Sequence, residues 1–530
     1  MAPALATPPS PEEVHREKLA RARSSPTGPL LSNVDWIRSL PPDEQRRFAG
    51  AVRRKPSRTL SGVAVVAVMT APARCPHGRC TYCPGGVESA SPQSYTGEEP
   101  SALRGAQFHW DAEAIARHRI ATLDAIGHPT SKVEVIVMGG TFPARPREYQ
   151  AGVLRGIYDG LNGERSATLP DAIRANESAA HRVVGLTVET RPDWCDGRVL
   201  PFLLDAGVTR VEIGVECLHD EVLRAVGRAH EAGDVVRATR ETRARGLKVG
   251  YHLMLGLPGM DPAKDLADFR RLWEDPGLRP DFLKIYPTLV LPGTPLHDDW
   301  RAGRYSPYDT DTAVGVLAEM KRIVPPWVRI HRIQRDIPSR LIAAGVRSSN
   351  VRELAIARLR AQGSACRCLR CREAGRRASP PFEAFRLVRA EYLAGGGRER
   401  FFAWEDPETD TVAGYVRLRE PSPGATDPLD APVVRELKVL GSEVAIGERA
   451  ARPTDYQHRG FGAALLREAE DAARADGYPG VYVTSAVGTR PYYREHGYRR
   501  AGPYVYRAFR GEGARERDAA VAASLARSRG

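Results

Sequence analysis

The chain has 530 residues, a net charge of +13 and eight cysteines. That length provides for two to four domains with buried cores. No apolar run approaches the roughly eighteen residues of a membrane span, and the proline-rich start lacks the basic and apolar blocks of an export signal, so the expectation is a cytoplasmic protein with no membrane partner. Residues 1–58 are basic by eleven to six and rich in proline, with one helical stretch near 12–23; the rest of this arm is expected to be partly disordered, with Arg53, Arg54 and Lys55 available to a polyanion.

A β-branched run at 63–68 is followed at once by Cys75-Pro76-His77-Gly78-Arg79-Cys80-Thr81-Tyr82-Cys83. Three thiolates leave one iron of a four-iron four-sulfur cluster without a protein ligand, and that iron can take the amino and carboxylate groups of S-adenosylmethionine. The spacing is C-x4-C-x2-C instead of the commoner C-x3-C-x2-C, so zinc or chance clustering stays open on these residues alone. Strand-like runs at 133–138, 183–188, 209–215, 248–255 and 282–286 alternate with helix-length amphipathic segments such as 112–126. Six β/α units over residues 59–325 predict an α/β fold with a partial (β/α)6 barrel, whose active site lies at the C-terminal ends of its strands.

Residues 320–380 hold fifteen Lys and Arg against three acids, a balance of +12. Within them, the expected linker 326–380 carries Cys366, Cys368 and Cys371. Arginine forks suit phosphate oxygens, and Trp327, His331 and Tyr305 offer stacking faces, so RNA is the favoured partner over a merely solvated surface. Cys195 and Cys217 read as buried thiols.

From residue 381 the pattern becomes α+β, up to 509, with a charged tail at 510–530. The run Gln457-His458-Arg459-Gly460-Phe461-Gly462 opens a helix at Ala463, and glycines at a helix N-terminus let backbone amides approach a pyrophosphate. The preceding strand, 433–439, offers an edge to a pantetheine arm. Downstream, Gly488-Thr489-Arg490-Pro491-Tyr492-Tyr493 brings a tyrosine pair whose phenols suit catalysis at a thioester sulfur. In this order, the three elements resemble a GNAT acetyltransferase domain binding acetyl-CoA.

Both halves together resemble the catalytic acetyltransferase subunit of Elongator in its stand-alone bacterial or archaeal form. The match runs through the cysteine run, Gln93-Ser94-Tyr95-Thr96-Gly97, Met138-Gly139-Gly140-Thr141-Phe142, Glu189-Thr190-Arg191-Pro192-Asp193, Leu283-Lys284-Ile285-Tyr286, Gln334-Arg335-Asp336 and Gly488-Thr489-Arg490. The resemblance implies a radical S-adenosylmethionine (radical SAM) enzyme that builds a 5-carboxymethyl group on the wobble uridine, in the anticodon stem-loop of tRNA. A deoxyadenosyl radical would take hydrogen from the acetyl-CoA methyl group, the carbon radical would add to uridine, and thioester hydrolysis would free CoA. It implies Cys75, Cys80 and Cys83 for the cluster. For acetyl-CoA it implies Lys132, Glu436, Leu437, Lys438, Val439, Gln457, Gly460, Phe461, Gly462, Ala463 and Tyr493, in a dry cavity shared with the radical. Gly139, Gly140, Glu189, Glu212 and Lys284 are candidates for S-adenosylmethionine.

Cys366, Cys368 and Cys371 resemble the family's zinc loop, with His331, His77 or a remote cysteine as fourth ligand. Where many relatives read E-I-G-V-Q-S, residues 212–217 here end in Glu216-Cys217, which removes any role resting on that glutamine. Protein partners are not required, and whether Elongator-like partners exist is unknown from sequence. Two rival readings are a protein lysine acetyltransferase, which leaves the cysteine run idle, and a non-catalytic tRNA-binding scaffold, which leaves both motifs idle.

Overall fold

The computed structural model describes residues 59–422, 427–444, 446–448, 450 and 454–509, together with 10–23, 31, 33–41, 43, 44 and 48 of the N-terminal region. Arg53, Arg54, Lys55 and the tail 510–530 lie outside the described residues.

Seven strands form one all-parallel sheet in chain order: β1 (Ala64–Met69), β2 (Lys132–Met138), β3 (Arg182–Thr190), β4 (Arg210–Glu216), β5 (Lys248–Leu255), β6 (Phe282–Pro287) and β7 (Arg329–Ile333). Six units were expected. The seventh strand lies inside the expected arginine-rich linker, where its alternating basic residues hid a β pattern: Ile330 and Ile333 are buried, while Arg329, buried too, pairs with Glu373. The period of two that makes β2 a strand also sorts its side chains. Val133, Val135 and Val137 are fully buried under the helix Ala112–Ala125, while Lys132, Glu134 and Ile136 alternate to the lumen side. Asp111 caps that helix by accepting from the amides of Glu113 and Ala114. The neighbouring helix Arg147–Asn162 packs so close that a Cβ on Gly160 would sit 2.5 Å from the Glu113 carbonyl oxygen.

A second sheet of seven strands, ordered β13-β14-β12-β11-β10-β9-β8, comprises β8 (Arg386–Ala394), β9 (Gly397–Asp406), β10 (Thr411–Arg419), β11 (Val433–Val439), β12 (Gly480–Val483), β13 (Arg499–Ala501) and β14 (Tyr504–Ala508). It is antiparallel except between β11 and β12, which pair in parallel only at Val433 with Tyr482 and Val434 with Val483 and then part. That parting leaves a wedge in the sheet.

The second sheet docks on the N-terminal rim of the barrel. Leu429, Val433, Tyr482, Val487 and Tyr504 belong to the same apolar core as the barrel strands. Across the junction Asp281 of the barrel accepts from Arg435 at 2.8 Å and from Arg243 at 3.2 Å, and Glu399 accepts from Arg243 at 2.8 Å and Arg435 at 2.7 Å, with all four side chains fully buried. Charges so buried are tolerated only when paired this closely.

Candidate active site

The cysteine run leaves β1 and curls over the C-terminal ends of the barrel strands. Cys75, Cys80 and Cys83 line one small cavity of about 100 Å³ together with Gln93, Tyr95, Gly140, Glu189, Arg191, Arg228, His252, Tyr286 and Arg335. Each sulfur is held: Cys75 Sγ lies 3.7 Å from Thr141 Oγ1, Cys80 Sγ 3.2 Å from His77 Nε2, and Cys83 Sγ accepts from the Ser94 amide at 3.3 Å. Burial raises the Cys75 and Cys80 thiols, while Arg191 and Arg228 oppose the shift at Cys75 and Arg228 does so at Cys80. Burial and the same two arginines bring His77 down to about 4, so its imidazole is neutral near pH 7. Three thiols on one cavity match the ligand set of a four-iron four-sulfur cluster with one iron left open.

Of the residues expected at S-adenosylmethionine, Gly140 and Glu189 line this cavity. Gly139 does not: at φ +124° it backs onto Thr70, and a Cβ there would meet Thr70 Oγ1 at 2.3 Å. Glu212 and Lys284 lie deeper in the lumen. Lys284 Nζ pairs with Glu212 and stands 3.4 Å from Glu189, and His252 Nε2 lies 3.1 Å from Glu212. Burial would raise Glu212, but Lys284 and His252 override it and hold the carboxyl well below its usual range. The chain continues downward through Arg210, 3.5 Å from Glu212 and 2.7 Å from Glu134, to Lys438, 3.5 Å from Glu134. A ladder of ion pairs thus fills the barrel from end to end.

The second cavity, about 630 Å³, sits at the opposite, N-terminal end of the barrel, between it and the wedge of β11 and β12. Lys132, Glu436, Leu437, Lys438, Val439, Gln457, Gly460, Gly462, Ala463, Tyr492 and Tyr493 all line it. Phe461 does not: its ring packs with Phe382, Phe385 and Trp404, so only its backbone can serve a ligand. Gly460 takes φ +91° to start the helix Phe461–Ala475, whose first-turn amides have no intrahelical acceptors. Gln457 acts as a clamp, donating to the Val439 carbonyl at 3.2 Å and accepting from Lys132 Nζ at 2.8 Å. Burial brings the Lys132 amine down to about 8. Burial pushes the Tyr492 phenol up to about 12 and Tyr493 further still, so both are proton donors near neutrality. The Tyr492 hydroxyl is buried without a hydrogen-bond partner among the described residues. A helix N-terminus, a splayed strand edge and two phenols meet the needs of an acyl-CoA.

The two cavities share no lining residue. The expected common chamber is therefore two chambers, whose linings reach Thr187 and Glu189 on the same strand, about 7 Å apart at 3.3 Å per residue. Sequence analysis also missed Arg228, His252 and the rim residues Arg182, Thr187, Arg210 and Lys248 that line one cavity or the other, because only barrel closure brings separate strands around a common axis.

Cys366, Cys368 and Cys371 converge with their sulfurs within 4.8 Å of one another. No fourth His, Cys, Asp or Glu joins them among the described residues. His331 instead packs against Phe282, centroids 4.7 Å apart, and His77 stays with Cys80. Lys321 Nζ lies 3.4 Å from Cys366 Sγ and 3.5 Å from Cys371 Sγ. Hydrogen bonds from Cys366 and Cys371 hold Cys368 well below its usual value. The arginines around this loop are not a uniform solvated face. Arg372 is fully buried, paired with Glu405 and, at 2.8 Å, with Asp410; Arg367 and Arg376 pair with Asp410 and Glu373. Arg347, Arg360 and Arg377 remain exposed and make no ion pair among the described residues.

These two sites define a radical SAM barrel joined to a GNAT acetyltransferase domain. The radical SAM superfamily profile matches residues 70–271, the radical SAM C-terminal domain residues 280–361, and the GNAT acetyltransferase family residues 369–498. The chain is 43% identical over 485 residues to the tRNA uridine(34) acetyltransferase of Methanocaldococcus jannaschii, covering 89% of this chain and 90% of that protein. It is 42% identical over 493 residues to Elongator complex protein 3 of Homo sapiens, covering 89% of each. The solved structure of the archaeal Methanocaldococcus infernus Elp3, lacking residues 1–46, superposes with a TM-score of 0.75 at 39% identity, covering 85% of this chain and 100% of that one. The chain belongs to the Elongator complex protein 3 and tRNA uridine(34) acetyltransferase family. Its radical SAM half implies a four-iron four-sulfur cluster and S-adenosylmethionine, and its GNAT half implies acetyl-CoA. Among the described residues no helix is long and apolar enough to cross a membrane.

Proposed function

We propose that this chain modifies tRNA at the wobble uridine, building a 5-carboxymethyl group from acetyl-CoA. The observation that carries the reading is the pairing of a cavity lined by a helix N-terminus, a strand edge and two tyrosines with a three-thiol cavity, on the two ends of one barrel. Cys75, Cys80 and Cys83 are the cluster ligands in this reading, and Gly140, Glu189 and the cations Arg191 and Arg335 receive the zwitterionic end of S-adenosylmethionine. The bound cluster supplies the electron that cleaves S-adenosylmethionine and opens radical chemistry. The chain's own part is to hold the two reactants apart from water and from each other until tRNA is present.

At the other end, the amides of residues 461–463 hold the pyrophosphate, the edge of Glu436, Leu437, Lys438 and Val439 aligns pantetheine, and Tyr493 protonates the departing CoA thiolate. Cys366, Cys368 and Cys371 offer three thiolates to zinc, tying the barrel to the acetyltransferase sheet. The division into an N-terminal RNA-contacting arm at 1–58, a radical SAM unit at 59–325, a linker at 326–380, an acetyltransferase unit at 381–509 and a tail at 510–530 is kept, with β7 lending the linker's start to the barrel. A cytoplasmic location follows from a tRNA substrate. The test is nucleoside mass spectrometry of tRNA incubated with the reduced, reconstituted enzyme, S-adenosylmethionine and acetyl-CoA. Carboxymethyluridine supports the reading; unmodified uridine together with acetylated lysine on added protein overturns it in favour of a lysine acetyltransferase.

A further inference from the structure

The larger cavity has a phosphate end at Gly460 and an acyl end beyond the point where β11 and β12 part, and Lys248 stands at the acyl end. It is the first residue of β5, and its side chain lines the cavity beside Thr187, Arg210, Glu134 and Glu436. The other lysines and arginines of that wall are already engaged. Lys132 donates to the Val444 carbonyl and Gln457; Arg182 to the Ala179 carbonyl; Arg210 and Lys438 pair with Glu134; and Arg435 pairs with Asp281 and Glu399. Lys248 Nζ makes no hydrogen bond and no ion pair with any described residue. A half-buried cation lining a cavity without a partner has donors to spare for a ligand, and the group arriving here is a thioester.

We propose that Lys248 is a catalytic residue of thioester cleavage, its ε-ammonium donating a hydrogen bond to the thioester carbonyl oxygen and stabilising the negative charge that forms there. This rests on acetyl-CoA being the ligand, as in the proposed function. The water oxygen bonds to the carbonyl carbon and the carbonyl π pair moves onto oxygen, facing Lys248. The pair then returns, the carbon–sulfur bond breaks, and its electrons leave on sulfur, which takes the Tyr493 proton. The proton lost by the added water restores the phenol, so the products are a carboxylic acid and CoA, and no oxidant or reductant is consumed.

Four charged groups face Lys248: Glu436 and Lys438 from β11, Arg210 from β4 and Glu134 from β2. Burial brings its amine down to about 8, with Glu436 pulling the other way. The charged form therefore predominates below about pH 8 and is lost as pH rises through it, so activity that depends on the ammonium falls over the same range.

The experiment is CoA release from acetyl-CoA by the full-length protein, with and without tRNA, as a function of pH. Lys248→Met is expected to lower kcat by about 100-fold, while the Kd for CoA stays within about 3-fold. Lys248→Arg is expected to recover most of the rate and to lose the descending limb near pH 8, because guanidinium keeps its charge. A structural role would not produce that rescue or that change of profile. The assignment is overturned by a Lys248→Met protein with wild-type kcat, by a wild-type rate that climbs through pH 8 with acetyl mass appearing on Lys248, or by a wild-type protein that releases no CoA. If the methionine variant misfolds, the arginine variant and the wild-type profile still decide. Wild-type CoA release with the Lys248 pattern intact, but with uridine unmodified, overturns the proposed tRNA chemistry and leaves Lys248 in place.

Discussion

At the level of single residues the thiols and the phenol separate the two chemistries. Cys80 is buried with its sulfur against His77 and beside Arg228. Replacing it by alanine is expected to abolish the brown cluster absorbance and deoxyadenosine formation while acetyl-CoA affinity, measured by calorimetry, is unchanged, since that cavity shares no residue with this one. Retained S-adenosylmethionine cleavage in Cys80→Ala would remove the cluster assignment. Tyr493 lines the acyl cavity, and Tyr493→Phe keeps the ring in its core while deleting only the hydroxyl. CoA release is expected to drop about 10- to 1,000-fold with tRNA affinity intact; an unchanged rate would reassign Tyr493 to packing.

Among the elements, the lumen of the barrel decides how the two ends communicate. Lys284 on β6 neutralises Glu212 on β4 and reaches Glu189 on β3, so one cation serves three strands. Lys284→Met takes the shared cation from two buried carboxylates, leaving Glu212 to Arg210 and His252, and is expected to cost about 3–5 kcal/mol in denaturant unfolding. Adding Glu212→Gln to that variant removes one of the two charges and should restore part of the loss; a double variant no better than the single would show that the ladder is not coupled. The helix pair under β2 gives an independent check on packing. Gly160→Ala places a methyl group 2.5 Å from the Glu113 carbonyl oxygen and is expected to lower stability by about 1–3 kcal/mol.

Across the whole molecule, charge that looks like one basic patch in the sequence is divided between internal struts and a real surface. Arg372 is a strut, buried against Glu405 and Asp410, and reversing its charge should impair folding before it touches RNA. In that patch the exposed arginines without an ion pair among the described residues are Arg347, Arg360 and Arg377. Changing these three to glutamate is expected to weaken tRNA binding and to flatten the dependence of log affinity on log salt by about 0.7 to 0.9 for each phosphate no longer neutralised, with the melting temperature unmoved. A triple variant with wild-type affinity and slope would place the RNA-binding surface elsewhere on the molecule.

The cysteine run, the Gln457–Gly462 loop and the Tyr492–Tyr493 pair were legible as chemistry because each is local: a few neighbouring side chains or amides on one turn suffice, and sequence spacing fixes their geometry. The parallel barrel was legible for a similar reason, since hydrophobic period and length distinguish strands from helices. β7 was missed because its Arg329 pairs with Glu373 inside the fold, and burial, not residue type, is what makes it a strand residue. Tertiary structure alone decided that the two cavities lie at opposite ends of one barrel, that Glu212 and Lys284 pair in its lumen, and that Lys321 and not a histidine stands beside the Cys366 trio. It likewise decided which cations are spent. An arginine and a lysine carry the same charge in any sequence, but whether that charge meets a carboxylate, as Arg210 does, or faces an open chamber, as Lys248 does, depends on strands that are far apart in the chain and adjacent only once the barrel has closed.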